Sequence, residues 1–279
     1  MFDFRLDRFL TLYFFHPISK YVQNKFKIPI LMYHSISEES EDHIHPYYRT
    51  NTSPAVFAEH MRFLSDNDYS VIDLKKLKDC FEAKNKLTKK FVVITFDDGY
   101  RNFYTKASPI LQEYHYPATI FLPTDYIGKS FQERPCLTWV QVRELKKLGY
   151  HFGSHTATHP KLYQLSMPKI REELTRSKTQ IEDALGENVS TFSYPFRFPE
   201  QDLKFVRLLK EEIEFVGYKT GVTTIIGCAE IGMDQLFLKR LPANSFDDSA
   251  LLDAKLKGSY DFMHVAQYAF KAIKNNWID

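Results

Sequence analysis

Two adjacent carboxylates, Asp97 and Asp98, end a dense apolar run and are followed directly by Gly99. Neighbouring carboxylates repel each other and resist desolvation, so a sequence that sets them beside a buried segment must supply a cation or a proton. If that segment is a strand, one carboxylate can bind a cation while its neighbour faces a substrate, because successive side chains point opposite ways. The alternative from these residues alone is an Asp-Asp-Gly turn without a chemical role.

A pair of histidines, His155 and His159, favours the chemical interpretation. Pro160 disfavours helical geometry at His159, so the pair is expected on a loop or tight turn that follows a strand. The two imidazoles and the Asp98 carboxylate would form a metal site with open positions for water and substrate. An isolated His-x-x-x-His spacing can also arise from surface or capping histidines, but its conjunction with the two carboxylates favours a site.

The segments around these motifs predict the elements that position them. Residues 91–96 are rich in β-branched and aromatic side chains, which is typical of a strand covered on both faces in a parallel sheet. Further strands are predicted at 28–34, 69–72, 118–122, 150–153, 191–194, 215–223 and 236–241. Helices are predicted between most of them, one beginning at Ser53-Pro54 and one ending at Gly186. This alternation predicts an α/β fold, and the number of units favours a (β/α) barrel over an open sheet.

Composition limits the partners and the compartment. The chain has 279 residues, 44% of them hydrophobic, which suffices for a full core, and no linker divides it. Lys and Arg number 37 against 35 Asp and Glu, a balance that argues against a nucleic-acid partner. The three cysteines are widely separated and odd in number, so no disulfide framework is expected and reducing conditions fit best.

Residues 1–27 are predicted to form an aromatic, helical extension ahead of a barrel domain at residues 28–279. The extension is too short to span a bilayer and poorly built as a signal peptide, so a cytoplasmic location is expected. One interpretation is an interfacial helix at the inner face of the membrane, with Lys20, Lys25 and Lys27 attracting anionic lipid. The other is a helix packed on the domain.

Three segments together resemble the polysaccharide deacetylases of the NodB-homology type, carbohydrate esterase family 4. Residues 95–99 (Thr-Phe-Asp-Asp-Gly) resemble its first motif, residues 155–160 (His-Thr-Ala-Thr-His-Pro) its second and residues 192–196 (Phe-Ser-Tyr-Pro-Phe) its third. The resemblance runs from about residue 28 to residue 242, and the first two motifs in this order are highly specific. It implies a single-domain, distorted (β/α) barrel of about seven parallel strands.

The resemblance also implies roles for the motif residues. Asp98, His155 and His159 would hold a divalent metal, most often zinc, with cobalt or nickel also usable in the family. Asp97 would be the general base that takes a proton from the attacking water. The backbone N–H of Phe196 would help to bind the oxyanion that forms on an acetamide carbonyl. The implied partner is a carbohydrate that carries N-acetylhexosamine units.

The chain departs from the usual family pattern at the acid and at one arginine. No late Leu-x-x-His motif is found, but in a related branch with a permuted barrel an N-terminal strand ending in histidine takes that place. His34 matches this strand end, the alternative being a histidine of the core. Ser193 stands where many members carry an arginine, so Arg240 is a candidate partner for Asp97, the alternative being a salt bridge at the barrel rim.

Several aromatic residues are candidate sugar-stacking surfaces, although such rings at strand ends are more often part of the core. They are Tyr100, Trp139, Tyr194 and Phe198. His264 lies in a predicted terminal helix at 260–273 and is expected to be structural.

Three functions remain open from the sequence: removal of N-acetyl groups from a saccharide, esterase action on an O-acetylated glycan, and carbohydrate binding without turnover. The retained charged cluster argues against the last, because a binding barrel has no need of charges that are costly to bury.

Overall fold

The structure, a computed structural model, describes residues 5–19, 26–83 and 89–275. Its centre is a closed barrel of parallel strands, which run in the order β1-β8-β7-β6-β5-β4-β3 and return to β1. Strand β2 pairs with the first half of β3, outside the ring. The strands are β1 (Ile30–Tyr33), β2 (Tyr69–Ile72), β3 (Lys90–Phe96), β4 (Thr119–Leu122), β5 (His151–Ser154), β6 (Thr191–Ser193), β7 (Thr220–Ile226) and β8 (Leu238–Pro242). The predicted single-domain barrel of about seven parallel strands is confirmed.

Helices cover the outside of the barrel. They are α1 (Pro54–Asp66), α2 (Leu77–Glu82), α3 (Ser108–Glu113), α4 (Trp139–Lys147), α5 (Met167–Leu185), α6 (Leu203–Val216), α7 (Ser249–Leu256) and α8 (Met263–Asn275). Helix α1 begins as its sequence predicts, with the Ser53 hydroxyl accepting from the N–H of Val56. Helix α5 ends at Gly186, whose φ of 67° is left-handed and turns the chain back towards the barrel.

One predicted boundary is wrong. The strand expected at 215–223 begins later, because α6 continues to Val216 and ends on Gly217 with a φ of 96°. Phe215 is an exposed residue of that helix, with the guanidinium of Arg171 4.2 Å from its ring centre. The aromatic and β-branched run resembled a strand, but the amphipathic face of α6 and its glycine cap extend the helix through Phe215.

The barrel interior is apolar at one end and polar at the other. Val93 belongs to an apolar cluster with Ile30, Phe121, Val222 and Leu238. Thr95, two residues further along β3, and Asp97, the first residue after it, contact the buried guanidinium of Arg240. Since alternate residues of an extended segment share a face, Val93, Thr95 and Asp97 point the same way. The apolar cluster therefore forms a floor beneath a polar pocket at the carboxyl ends of the strands.

The N-terminal helical segment, residues 6–19, packs on the barrel. Asp7 and Thr11 are buried, and the Asp7 carboxylate accepts from Arg5 and from the Tyr260 hydroxyl at 2.6 Å. The opposite side of the segment exposes large apolar side chains, namely Leu6, Phe9, Tyr13, Phe14, Phe15 and Ile18. Within residues 5–19, 26–83 and 89–275, none of the helices has the length and apolar character needed to cross a membrane.

Of the three lysines expected to attract lipid, Lys20 and Lys25 lie outside the described residues. Lys27 pairs with Asp261 at 2.7 Å and with Glu230 at 3.2 Å, so its charge is already compensated within the protein.

Candidate metal centre and active site

Asp97 and Asp98 follow β3 directly and are both buried. The chain turns sharply there, with left-handed φ values of 68° at Asp98 and 58° at Gly99. A Cβ at Gly99 would lie 2.9 Å from the side chain of Leu122, so close packing also favours glycine at this position. The segment is therefore a turn and a carrier of buried charge at once.

Asp98 meets the two histidines. Its Oδ1 lies 3.5 Å from Nε2 of His155 and 3.4 Å from Nε2 of His159, and the two nitrogens are 3.2 Å apart. A tetrahedral zinc ion, with bonds of about 2.0–2.1 Å, spaces neighbouring ligand atoms by about 3.3 Å. The three side chains therefore fit a divalent metal of this size without rearrangement.

Hydrogen bonds orient both imidazoles. Nδ1 of His155 lies 2.8 Å from the carbonyl oxygen of Ser193, which can only accept, so Nδ1 carries the proton and Nε2 presents its lone pair to the centre. The backbone N–H of His159 donates to the Thr156 hydroxyl at 3.0 Å, in a loop where both residues have positive φ. Nδ1 of His159 is buried and finds no hydrogen-bond partner among the described residues.

The electrostatics of the cluster favour a cation. Burial and the charge of Asp97 together raise the pKa of Asp98 to about 6, although His155 opposes the rise. Burial and the neighbouring His155 lower the pKa of His159 to about 2. Burial thus makes the ionised form of Asp98 costly, and a metal ion would stabilise the carboxylate and the imidazole lone pairs together.

Asp97 is held by Arg240. Nη1 and Nη2 of the guanidinium lie 2.8 and 2.7 Å from the two carboxylate oxygens, and Arg240 is fully enclosed. Its Nε donates to the carbonyl of Thr223 at 2.9 Å, which fixes the plane of the fork. Burial by itself would raise the pKa of Asp97, but the charge and hydrogen bonds of Arg240 together with the nearby His155 and His34 lower it, so Asp97 stays ionised. Arg240 is thus in contact with Asp97 and not at the barrel rim.

The small side chain of Ser193 leaves room for the guanidinium of Arg240 beside Asp97. Its hydroxyl lies 3.0 Å from Nη2 of Arg240 and 3.3 Å from Asp97, while its carbonyl orients His155. The guanidinium that many family members supply from the third motif here reaches the base from β8. The serine in the motif was visible in the sequence, but its contacts with both groups were not.

His34 follows β1, which is the neighbour of β3 in the barrel. The register pairs Tyr33 with Phe96, and the N–H of Asp97 donates to the Tyr33 carbonyl at 3.0 Å. His34 and Asp97 therefore leave adjacent strand ends into the same pocket. Burial lowers the pKa of His34, and the negative charge of Asp97 opposes this shift. His34 is half-buried and does not belong to the packed core.

Phe196 lies beside His159 at the candidate metal cluster. Its backbone has a left-handed φ of 58°, and its partly exposed ring lies 4.5 Å from the ring of His159. The Thr224 hydroxyl donates to the Phe196 carbonyl at 2.9 Å, which anchors the loop that carries the motif.

Most of the aromatic candidates are not available for sugar stacking. Tyr100 is 2% and Tyr194 is 1% exposed, and Phe198 is buried as well, so none presents a free face. Tyr100 instead hydrogen-bonds the Asp98 carboxylate. Trp139 is half-buried at the start of α4 and packs against the core. The expectation for the three buried rings is therefore wrong, because their apolar faces complete the core.

Two further residues complete the description. Nε2 of His264 lies 2.6 Å from the Glu200 carboxylate on the outer side of the barrel, as expected of a structural histidine. Glu173, which the sequence analysis did not identify, accepts from the N–H groups of Ala157 and Thr158 at 2.9 and 2.8 Å. From its position on helix α5, Glu173 thereby holds the loop between the two histidines. No local pattern in the sequence predicts that contact.

The comparisons with known proteins agree with this geometry. The polysaccharide deacetylase family matches residues 84–212. The Bacillus subtilis protein YxkH, named for the same family, is 34% identical over 216 residues, which cover 77% of this chain and 71% of that protein. The poly-β-1,6-N-acetyl-D-glucosamine N-deacetylase of Escherichia coli K12 is 30% identical over 138 residues, 45% of this chain and 20% of that enzyme. The structure of the Streptococcus pyogenes deacetylase PplD in complex with acetate matches with a TM-score of 0.71 and 28% identity, over 84% of this chain and 99% of that one.

Proposed function

Because the chain belongs to the polysaccharide deacetylase family, we propose that it is a metal-dependent hydrolase that removes N-acetyl groups from N-acetylhexosamine units. The substrate would be a polysaccharide, an oligosaccharide or a sugar precursor. The observation that carries the proposal is the cluster of Asp98, His155 and His159, whose ligand atoms all lie within 4.8 Å of one another, beside a base held by Arg240. The name of the Escherichia coli relative supports an N-acetyl substrate.

The donor set favours a particular group of metals. Two imidazoles and one carboxylate suit zinc, with cobalt or nickel as alternatives, better than they suit magnesium or calcium. A divalent metal held by these residues would polarise the amide carbonyl and make a water molecule more acidic.

The remaining steps belong to this chain's own residues. Asp97, kept ionised by Arg240, accepts a proton from the attacking water as its oxygen bonds to the acetamide carbon. The backbone N–H of Phe196 donates to the oxyanion that forms on the carbonyl oxygen. His34 then donates a proton to the sugar nitrogen as the C–N bond breaks, which yields acetate and a free amine. Arg240 keeps its two hydrogen bonds to Asp97 throughout and thereby orients the base.

Fewer aromatic rings are available to contact a sugar than the sequence predicted. Tyr100 and Tyr194 support the site from within, whereas the exposed edge of the Phe196 ring can contact a sugar. Trp139 stays a candidate contact at the start of α4.

Contact with a membrane surface is also part of the proposal. It is supported by the exposed apolar side of residues 6–19, which includes Tyr13 at 66% exposure. Lys27 is paired, so this contact would depend on apolar burial more than on charge. The cytoplasmic location stays a prediction from the sequence.

The test of the activity is acetate release by zinc-loaded protein from matched N-acetylated and O-acetylated oligosaccharides. We expect release from the N-acetylated set, with a free amine formed in equal amount. Release from the O-acetylated set alone would make the protein an esterase, and release from neither would overturn the assignment as a hydrolase.

A further inference from the structure

A cavity of about 690 Å³ lies between the carboxyl end of the barrel, the N-terminal helical segment and α8. This volume is typical of sites for small molecules, which measure about 300–1,000 Å³. Its walls are mainly aliphatic, aromatic and thioether groups, and the polar residues among them, such as Asp7, Arg49 and Gln267, are already hydrogen-bonded within the protein. Its apolar lining includes Leu6 and Leu10 of the N-terminal segment, Met32 of β1, and Phe262 and Met263.

The cavity is continuous with the active site. His34, which shares a pocket with Asp97, is also one of its lining residues. Thr224 is another, and its hydroxyl holds the carbonyl of Phe196. A sugar whose acetamide group lies beside Asp97 would therefore have one end directed into this cavity.

The walls do not match a second sugar unit. Sugar hydroxyls need hydrogen-bond partners, and enclosing them among Leu10, Met263 and Phe262 would leave several of them unsatisfied. A hydrocarbon chain loses nothing in the same surroundings and gains from leaving water. We propose that the cavity binds the hydrocarbon chain of a lipid-linked N-acetyl sugar, so that the substrate is an amphipathic glycolipid. This inference rests on the proposed deacetylase function.

The entrance suits a chain that comes from a bilayer. Leu6 lines the cavity and is also exposed, and the same helical segment exposes Tyr13, Phe14 and Ile18. The segment is held against the barrel through Asp7, so its apolar side keeps a defined orientation. A hydrocarbon chain could pass from lipid into the cavity along this apolar side.

The test uses methyl, butyl and hexyl glycosides of N-acetylglucosamine, all below micelle-forming concentrations. Affinity by calorimetry and kcat/KM for acetate release are both measured. We expect each added methylene to improve both values by up to about fourfold, which corresponds to about 0.8 kcal/mol per CH₂. Ala266→Trp, in the wall formed by α8, should abolish this dependence. Val265→Trp is the matched control, since Val265 is 72% exposed and is not a lining residue.

The outcomes separate the two proposals. Affinity that depends on chain length in wild type and Val265→Trp, but not in Ala266→Trp, supports the cavity site even if no acetate is released, a result that would count against the deacetylase function alone. Acetate release with no chain-length dependence overturns the cavity site and leaves the deacetylase function intact. A dependence that emerges only after deletion of residues 1–4 would assign the cavity to the chain's own N-terminus. If Ala266→Trp does not fold, Leu6→Asn makes the same test from the N-terminal segment.

Discussion

The guanidinium of Arg240 meets the carboxylate of Asp97 at two points, 2.8 and 2.7 Å, inside the barrel. Arg240 comes from β8 and Asp97 from the end of β3, and strand β1 lies between them in the ring. The contact therefore crosses the barrel interior. A two-point contact fixes the rotation of the carboxylate as well as its charge, which a single ammonium group cannot do.

Arg240→Lys should consequently lower kcat by about 10–100-fold while the protein stays folded and binds metal. The charge persists, but the carboxylate of Asp97 is free to rotate. Arg240→Met should instead lower the free energy of unfolding by about 3–5 kcal/mol, because it leaves the buried charge of Asp97 without its cationic partner. Steady-state kinetics and urea unfolding provide the measurements, with Arg143→Lys on the exposed face of α4 as the control. Full activity in Arg240→Lys would contradict the orienting role.

Asp97→Asn should retain metal and lose turnover by at least about 10²-fold, because the amide cannot accept a proton from water. His155→Ala should lose both, since one of the three ligands is gone. Metal content per chain is measured by elemental analysis and activity by acetate release. His264→Ala, which removes contacts to Glu200, Lys239 and Tyr268 and none to the three ligands, should leave both values unchanged. Equal metal content in His155→Ala and wild type would refute the assigned ligand set.

His34→Gln should reduce amide hydrolysis by about 10²–10⁴-fold if His34 protonates the leaving nitrogen. An aryl acetate with a good leaving group needs no such proton, so its hydrolysis should fall less than about tenfold. The ratio of the two rates, measured on the same metal-loaded preparation, distinguishes the loss of a proton donor from general damage to the site. An equal loss on both substrates would show that His34 acts in some other way.

Glu173→Ala should weaken metal binding by about 10–100-fold without touching a ligand. The N–H groups of Ala157 and Thr158 would lose their shared acceptor, so the loop that carries both histidines would lose its anchor. Competition titration with a chelator measures the affinity. Glu172→Ala is the matched control, because the exposed Glu172 pairs with Lys169 and not with the loop. Identical affinities in the two variants would exclude a positioning role for Glu173.

The pair of changes Tyr13→Ser and Phe14→Ser should weaken binding to lipid vesicles by about tenfold per ring, since each removes an aromatic group from the exposed face. Vesicle co-sedimentation measures this, and added salt should have little effect because apolar burial is not screened. Phe215→Ser removes an exposed ring from α6 and should not alter binding. Binding that persists in the double variant, or that salt abolishes, would argue against contact through this segment.

Much of the fold and part of the site could be predicted from local sequence. Strand β2 was predicted at its observed bounds, and β3 within one residue, because buried strands of a parallel sheet leave a continuous apolar run. Asp97, Asp98, His155 and His159 were also identified, since each pair is close in sequence and follows a strand. The boundary at Phe215 failed because the same residue types occur in a helix end and in a strand.

What the tertiary structure alone decided is which side chains meet once the barrel closes. Arg240 stands 143 positions after Asp97, and only the closed ring of strands brings its guanidinium to the carboxylate and not to the rim. Glu173 reaches the histidine loop because α5 packs over β5. Tyr100 and Tyr194 cannot contact a substrate because their rings complete the core. By itself the sequence determined the order of the strands' apolar runs and the charged residues that follow them, since these are local patterns. The contact of Arg240 with Asp97, the anchor of the histidine loop and the apolar cavity beside His34 depend on contacts between distant segments, which no local pattern encodes.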